Sequence, residues 1–595
     1  MILSPHSHTR LYFAANRLFR SDNRGDSWTV ISDDLTRRMD RNQLKVMDKV
    51  QSVDAVAKNR STSIYGNIVS LAESSLAEGL IYVGTDDGLI QVTENAGETW
   101  RKVALFPGIP EMAYVSCLTA SMHDADTVYA AFDNHKKGDF KPYLLKSTDR
   151  GVNWESIAGD LPERETVYSI QQDHEKSDLI FTGTEFGVYF TVDGGKRWIR
   201  LKGGMPTIAV KDIAIQRREN DLVLGTFGRG FSILDDYTPL RLVDDELLKR
   251  EAVVFPVKDA LHYIQNSRLG GWSGKGSQGA SYYAAPNPPF GAIFTYYLKE
   301  KIETRQERRR KAEKKARKAG KTPPYPTIEE LRAEDEEKKP SVFLIVRDEG
   351  GDIVRRISGS RKKGIHRAAW NLRDPATTPV VLKPRKDLPP WMRSPSGPLA
   401  LPGSYTVTLA KEVDGRITEL VEPVPFNVIP LGLATFAAED REEVMDFQRK
   451  AAQLQRAVRG ALKVADEARN RIAHLRKAFQ ATPAADPSLL AEIDDLDRRL
   501  NPLLTRLRGD RTLAKHQEPV PPSISHRVSV AIDWYVTSAP TQSQRESYEH
   551  AGAEFTEVLA QLRKLIQEDL VGVEEKLEAA GAPWTPGRIP TWPLE

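Results

Sequence analysis

The sequence has very little cysteine and very little net charge. Cys117 is the only cysteine among 595 residues, which excludes an intramolecular disulfide and a thiolate metal cluster. The 85 Lys and Arg nearly balance the 82 Asp and Glu, so no overall field attracts nucleic acid, and we predict no nucleic-acid partner. No apolar run reaches the roughly 18 residues of a membrane span. Residues 1–6 lack the basic and apolar regions of a signal peptide, so we expect none in this chain.

The usual motifs of metal and nucleophilic chemistry are also missing. The chain has no His-x-x-x-His pair, no nucleophile elbow and no phosphate-binding loop. We therefore predict neither a metal nor a cofactor.

What the sequence does have is one turn motif, S-x-D-x-G-x-x-W, in four copies. A Ser or Thr hydroxyl and an Asx side chain can bond backbone amides of a tight turn, and Gly takes its φ > 0 position. We expect each Trp to be largely buried, closing its turn over apolar residues. The residues assigned to the four boxes are Ser21, Asp22, Gly25 and Trp28; Thr93, Asn95, Gly97 and Trp100; Ser147, Asp149, Gly151 and Trp154; and Thr191, Asp193, Gly195 and Trp198.

Two short apolar strands precede every box. A fifth copy of the strand pair, 221–234, lacks the box. The period of roughly 45 to 70 residues is about that of a four-stranded propeller blade with loop insertions. Residues 1–238 are therefore predicted to form a partial β-propeller of about five blade repeats.

Strand parity predicts which polar residues share the face opposite the boxes. A box joins the third and fourth strands of its blade, so the turns between the second and third strands lie on the other face. A ligand would bind there, although ordinary hairpin polar residues are the alternative interpretation. Asp86 or Asp87 with Glu185 are weak catalytic candidates, because glycosidases need two nearby carboxylates. The candidate ligand-binding residues are Asp86, Asp87, Asn134, His135, Glu185 and Arg229.

The rest of the chain is predicted to contain two further domains. A connector, 239–290, leads into a β-sandwich at 291–430, whose strands alternate apolar and polar residues. A charged insert, 299–340, interrupts the sandwich as either a helical hairpin or a disordered segment. A 3.6-residue period over 438–582 predicts an antiparallel helical bundle, and a Pro-rich tail, 583–595, follows.

These features resemble known families. The boxes resemble the Asp-box, or BNR repeat, of sialidases and sortilin-type propellers, and the sandwich segments 364–373 and 402–405 resemble an immunoglobulin-like domain. Together with the segments 228–236 and 287–291, the chain resembles the C-terminal part of bacterial sortilin-like propeller proteins often labelled glycosyl hydrolases. That resemblance implies further blades upstream and, if the N-terminus is truncated, an extracytoplasmic location.

Two classes of function remain open. The first is a binding or scaffold protein that recognises a peptide, a glycan or a partner protein on the propeller face opposite the boxes. The second is a glycosidase that uses a carboxylate pair, although the arginine triad and the Tyr/Glu nucleophile of sialidases are not recognisable. Because five blades are few, we also expect a partner chain or self-association to complete the propeller.

Overall fold

The computed structural model describes residues 1–58, 60, 65–265, 285–382, 395–433, 439–532 and 537–592. The chain divides into two compact units, Met1–Lys249 and Arg250–Glu595. None of the helices in these ranges combines the length and the apolar character that a bilayer crossing requires.

The first unit contains five antiparallel sheets in succession, which are the blades. Four have four strands in up-and-down order and the fifth has three. The bounds are β1 Ile2–Leu3, β2 Leu11–Ala14, β3 Leu18–Ser21 and β4 Thr29–Val30 in blade 1; a hairpin of β5 Lys45–Val46 and β6 Lys49–Val50; β7 Ile68–Glu73, β8 Ile81–Thr85, β9 Ile90–Thr93 and β10 Arg101–Val103 in blade 2; β11 Tyr114–Ala120, β12 Val128–Asp133, β13 Tyr143–Ser147 and β14 Glu155–Ser156 in blade 3; β15 Val167–Gln172, β16 Ile180–Thr184, β17 Gly187–Thr191 and β18 Ile199–Arg200 in blade 4; and β19 Val210–Gln216, β20 Asp221–Thr226 and β21 Phe231–Leu234 in blade 5.

The blades pack face to face around their first strands. Strands β7, β11, β15 and β19 contact one another in that order. The apolar core of the unit lies between the blades, as between β12 and β17, where Tyr129, Ile170 and Tyr189 are buried together. This arrangement is that of β-propeller blades. In the described residues, no strand of blade 5 pairs with a strand of blade 1.

The box turns have the hydrogen bonds that their residue types require. In blade 3, the Ser147 hydroxyl accepts from Gly151 N at 2.8 Å. Asp149 Oδ1 accepts from Val152 N at 3.0 Å and from Asn153 N at 2.8 Å. Gly151 has φ 80°, the left-handed region that favours glycine.

The first box requires a correction. Asn23, not Asp22, occupies its Asx position, because Asn23 Oδ1 accepts from Ser21 Oγ and from Ser27 N, each at 2.9 Å. Asp22 instead forms an ion pair with Arg10 at 2.8 Å. The two adjacent Asx residues made the sequence assignment ambiguous by one position.

The prediction that all four box tryptophans are largely buried is only partly confirmed. Trp198 is 6% exposed and donates from Nε1 to the Ile157 carbonyl after the last strand of the preceding blade, at 2.9 Å. Trp100 makes the same kind of bond to Ile31 O at 3.3 Å but is only partly buried, as is Trp154. Trp28 is 40% exposed. Its ring packs edge-on against Phe13 of its own blade, with 6.1 Å between the ring centroids.

The second unit begins with two sheets that share one core. One has the order β22-β24-β27, and the other β23-β30-β28-β25-β26, with β29 paired to β28. Phe294 and Tyr296 of one sheet pack with Leu344, Val407 and other buried residues of the second, which makes a β-sandwich. The bounds are β22 Ala252–Val254, β23 Ala260–His262, β24 Ala292–Leu298, β25 Ser341–Arg347, β26 Ile353–Gly359, β27 Gly364–Trp370, β28 Gly403–Val413, β29 Arg416–Glu419 and β30 Val424–Pro430.

The sandwich begins earlier than predicted. Strands β22 and β23 lie inside the stretch 239–290 that was expected to be a connector. Each has three residues, which is too short to be recognised as a strand from the sequence. The middle of that stretch, 266–284, lies outside the described residues.

The charged insert forms the helical hairpin that was one of its two predicted states. Helix α1, Arg305–Lys318, and helix α2, Ile328–Glu336, have no buried residue. Arg309 binds Glu334 through Nε at 2.7 Å and Nη2 at 2.8 Å, so the acidic helix neutralises part of the basic one.

The remaining helices other than the short α5 share one apolar core, as the 3.6-residue period predicted. Ile472, Leu496 and Leu562 are representative of its fully buried residues. A π-turn, Leu565–Asp569, separates the last two helices. The bounds are α3 Arg441–Gln480, α4 Ser488–Arg508, α5 Arg511–Lys515, α6 Ile524–Ala531, α7 Gln542–Lys564 and α8 Leu570–Ala579.

Candidate ligand-binding cleft

The boxes and the candidate site occupy opposite faces of the blades. Each box is fastened to the turn between the first two strands of its own blade, as Arg150 N is to Asp126 O at 2.8 Å and Gly194 N to Asp178 O at 3.1 Å. The turns between second and third strands are therefore at the other ends of the strands. They comprise residues 15–17, 86–89, 134–142, 185–186 and 227–230.

Asp86 and Asp87 anchor loops at this face. Asp86 Oδ1 accepts from Gly66 N at 3.1 Å and Asn67 N at 2.8 Å. Asp87 is 0% exposed, and it accepts from Thr85 Oγ1 at 2.5 Å and from Arg37 N at 2.7 Å. Both oxygens of Asp87 are thus bonded within the protein, which makes it unsuited to substrate contact.

Asn134 and His135 begin the long turn of blade 3. Asn134 is buried and donates from Nδ2 to Asp139 Oδ2 at 3.0 Å. His135 Nδ1 donates to Asp133 Oδ1 at 2.6 Å, which fixes the plane of its ring. The ring stands edge-on to Tyr168, with 6.3 Å between centroids.

Glu185 and Arg229 lie in the turns of blades 4 and 5. Glu185 Oε2 accepts a short hydrogen bond from the Tyr168 hydroxyl. Burial, with this bond and the negative charge of Glu185, raises the pKa of Tyr168, so that hydroxyl stays protonated and donates. Arg229 is exposed in its turn, 227–230.

Blades 3, 4 and 5 enclose a cleft of about 690 Å³ on this face. It contains two of the six candidate ligand residues, His135 and Glu185. Asp86, Asp87, Asn134 and Arg229 do not line it. The lining residues are His135, Phe140, Arg164, Tyr168, Glu185, Phe186, Ala209, Lys211 and Phe227.

Aromatic rings dominate the rim of the cleft. Phe140 is 39% exposed, Phe186 43% and Phe227 72%. Each belongs to a different blade, and Tyr168 lies buried beneath them at the start of β15. Such exposure of large apolar rings around one concavity is typical of a binding site.

Two cations stand over these rings. Lys211 Nζ is 3.0 Å from the centroid of the Tyr168 ring and 6.0 Å from that of Phe227. The Arg164 guanidinium carbon is 5.5 Å from the centroid of Phe140. Each is a cation–π contact, which orients the cation at the cleft surface.

Hydrogen bonds within blades 4 and 5 hold the two aromatic turns in place. Glu185 N donates to Thr166 O at 3.0 Å, and Phe227 N donates to Ala209 O at 2.9 Å. The carbonyl of Phe186 accepts from Arg200 Nη2 at 2.6 Å. The positions of Phe186 and Phe227 are therefore set by the fold and not by a free loop.

Sequence reasoning missed Phe140, Arg164, Tyr168, Phe186, Lys211 and Phe227. One signal for two of them was present in the repeat. Phe186 and Phe227 each precede a glycine in the turn after the second strand, in Thr184-Glu185-Phe186-Gly187 and Thr226-Phe227-Gly228. A large exposed ring at the same point of consecutive blades is a better indicator than a polar residue beside Gly.

The described residues contain no group of three or more His, Cys, Asp or Glu that could hold a metal ion.

Comparisons with known proteins give only distant likenesses. No family model matches the sequence, and no curated protein matches it. Among solved structures, an ancestral GH74 enzyme is 16% identical with a TM-score of 0.29, over 50% of this chain and 36% of that one. The GH74 xyloglucanase from Xanthomonas campestris is 14% identical with a TM-score of 0.29, over 71% of this chain and 70% of that one. YCF48 from Cyanidioschyzon merolae is 14% identical with a TM-score of 0.26, over 39% and 69%.

At these identities and TM-scores the likenesses carry no information about activity. This chain spans about a third of the length of the ancestral GH74 enzyme. The five successive up-and-down sheets, packed around their first strands, are what identify the N-terminal unit as a row of β-propeller blades.

Proposed function

We propose that this protein binds a glycan chain in the cleft between blades 3, 4 and 5 and does not cleave it. The observation that carries the proposal is the ring of exposed phenylalanines, Phe140, Phe186 and Phe227, around a cleft of about 690 Å³. Flat aromatic rings stack on the C–H faces of sugars, and the burial of those faces is favourable.

The polar groups of the cleft suit sugar hydroxyls. His135 has one ring nitrogen engaged by Asp133, which leaves Nε2 directed to other partners. Glu185 retains acceptor capacity beyond its bond from Tyr168. A few placed polar groups among aromatic walls are the usual composition of a ligand pocket.

Binding is favoured over hydrolysis because the carboxylates do not form a catalytic pair. Glycosidases place two carboxyl groups roughly 5 to 9.5 Å apart across the bond that breaks. Glu185 is the one carboxylate among the lining residues. Asp86 and Asp87, its suggested partners, are bonded to loop backbone in blade 2.

We further propose that the protein belongs to the sortilin-like group, that its sandwich is immunoglobulin-like and that a partner sheet adjoins the row of blades. The Asp-box turns support membership of the sortilin-like group that the sequence resembles, and the two-sheet core supports an immunoglobulin-like sandwich. The outer surfaces of blades 1 and 5 expose Phe13 and Phe231, which supports a partner sheet at either end of the row of blades.

The test is a glycan panel applied to the full chain, with retention in affinity gel electrophoresis as the readout. Phe227→Ala and Phe186→Ala should lose binding. Phe231→Ala is the matched control, since Phe231 is 80% exposed in the same blade as Phe227 but outside the cleft.

Two outcomes would overturn the proposal. Release of reducing ends that disappears in Glu185→Gln would make the protein a glycosidase. Saturable binding of peptides, with no glycan retained, would assign the cleft to a peptide ligand.

A further inference from the structure

The two cations of the cleft, Arg164 and Lys211, form no salt bridge with any residue that the structure describes. Arg164 and Lys211 each lie against an aromatic ring, and no described carboxylate forms a salt bridge with either. Elsewhere in the blades, cations near a turn are commonly paired, as Arg150 is with Glu94 and Asp126, both at 2.7 Å. The cleft therefore presents two cations that are not held in salt bridges.

Lys211 is also partly removed from water. Its ammonium group lies 3.0 Å from the centre of the Tyr168 ring. Burial lowers the pKa of Lys211, although the charges of Glu185 and Asp133 act in the opposite direction. A partly desolvated cation gains more from an incoming anion than a fully hydrated one does.

The carboxylates nearest the cleft each accept a hydrogen bond from a group other than Arg164 or Lys211. Asp133 accepts from the backbone N of His135 at 2.9 Å and from its ring Nδ1 at 2.6 Å. Glu185 accepts from the Tyr168 hydroxyl, which lies under Lys211. The lining of the cleft thus holds two cations, Arg164 and Lys211, and one carboxylate, Glu185, which leaves an excess of positive charge for an anionic ligand.

We propose that the cleft selects an acidic glycan, whose carboxylate or sulfate groups bind Arg164 and Lys211 while its sugar rings stack on the phenylalanines. This inference rests on the glycan-binding function proposed above and names the class of glycan. Arg is suited to such anions because its planar fork can donate two hydrogen bonds to them.

The experiment compares one sugar chain in two charge states. Affinity electrophoresis of the full chain is run with polygalacturonate and with the same polymer fully methyl-esterified, which removes the carboxylate charge. Dextran sulfate and dextran form a second pair, which distinguishes a sulfate source from a carboxylate source. Retention by the acidic member of at least one pair should exceed that by its neutral form about ten-fold, and added salt should reduce the difference.

Variants locate the charge effect. Arg164→Gln and Lys211→Gln should each weaken retention by the acidic polymer about ten-fold. Lys102→Gln makes the same change of net charge on an exposed strand residue of blade 2 and should leave retention unchanged. Thermal melting of each variant shows whether it is folded.

The outcomes separate this inference from the function on which it rests. Equal retention by charged and neutral members, lost in Phe227→Ala, would overturn the acidic-glycan inference and keep glycan binding. If Lys102→Gln weakens binding as much as Lys211→Gln does, the acidic-glycan inference is likewise overturned and glycan binding is kept. No retention by any glycan of the wider panel would overturn both.

Discussion

Tyr12 Oη donates a hydrogen bond of 3.1 Å to Glu73 Oε1, and so connects the second strand of blade 1 to the end of the first strand of blade 2. A hydrogen bond at the equivalent position joins blades 3 and 4 in the opposite direction, since Gln172 Nε2 donates to Tyr129 Oη at 3.1 Å. Buried tyrosines thus fasten one blade to the next through a Glu or Gln.

The corresponding bond is missing between blades 2 and 3. Tyr82 has the place of Tyr12 in its blade, but its buried hydroxyl has no hydrogen-bond partner among the described residues. Ala120 is paired with Val128 as Glu73 is with Ile81, so it occupies the position that Glu73 has in blade 2. We expect Ala120→Gln to stabilise the protein by about 1 kcal/mol, because it satisfies a buried polar group.

Chemical denaturation measures that gain. Ala120→Met is the matched control, since it has similar length but no amide, and Ala120→Gln in a Tyr82→Phe background should gain nothing. An equal gain for Gln and Met would show that packing, not the hydroxyl, is responsible.

The box tryptophans should differ in their contribution to stability according to their neighbours. Trp198→Ala should cost about 3 to 5 kcal/mol, because the ring is buried and bonded to the preceding blade. Trp154→Ala should cost less, and Trp28→Ala, in a ring that is 40% exposed, least. The free energies of unfolding of the three variants test the order. Equal losses would contradict the account of how blades cover the boxes.

Asp149 should make stability depend on acid pH. Hydrogen bonds from Asn153 N and other donors of the box lower the pKa of Asp149 from 3.8 to about 2. Its charged form is thus favoured in the folded state, so its contribution is complete above pH ~4 and is lost as pH falls through about 2.

Asp149→Asn isolates this effect, because Asn23 and Asn95 already serve as the acceptor in boxes 1 and 2. The variant should be less stable than the wild type at pH 6, and the difference should vanish near pH 2. A difference that is constant over this range in denaturant titrations would contradict the assignment.

The ends of the row of blades should support self-association. Phe13 and Trp28 stand exposed on blade 1, and Phe231 and Ile233 on blade 5, at positions that adjoining blades cover elsewhere. Sedimentation velocity of the full chain should show an assembly that grows with concentration and is weakened by Phe13→Glu and by Phe231→Glu. A monomer at every concentration would exclude self-association through these surfaces.

The blades were predictable from the sequence because the box is a local device. Its hydroxyl, Asx and Gly bond one another within five residues, so the pattern around Gly151 suffices to identify the turn. The first box shows the limit of local prediction. Asp22 was predicted as the acceptor but Asn23 has that role, because two adjacent residues can both accept. The exposure of Trp28 could not be predicted from the box itself, because it depends on what adjoins its blade.

Only His135 and Glu185 among the lining residues of the cleft were predicted from the sequence, for a related reason. Strand parity assigned His135 and Glu185 to the correct face, but it does not say which turns converge. Phe140, Phe186 and Phe227 line one cleft because of how blades 3 to 5 pack, and that packing is not encoded in any one repeat. The polar residues Asp86 and Asp87 were selected for their charge, whereas buried aspartates in turns often serve the backbone.

Hydrogen–deuterium exchange of the full chain, with and without the best-retained glycan of the panel, tests the central claim most directly. Binding in the cleft predicts slower exchange in the turns at 134–142, 185–186 and 227–230, and unchanged exchange in the four boxes. Protection confined to the boxes, or to the second unit, would contradict it.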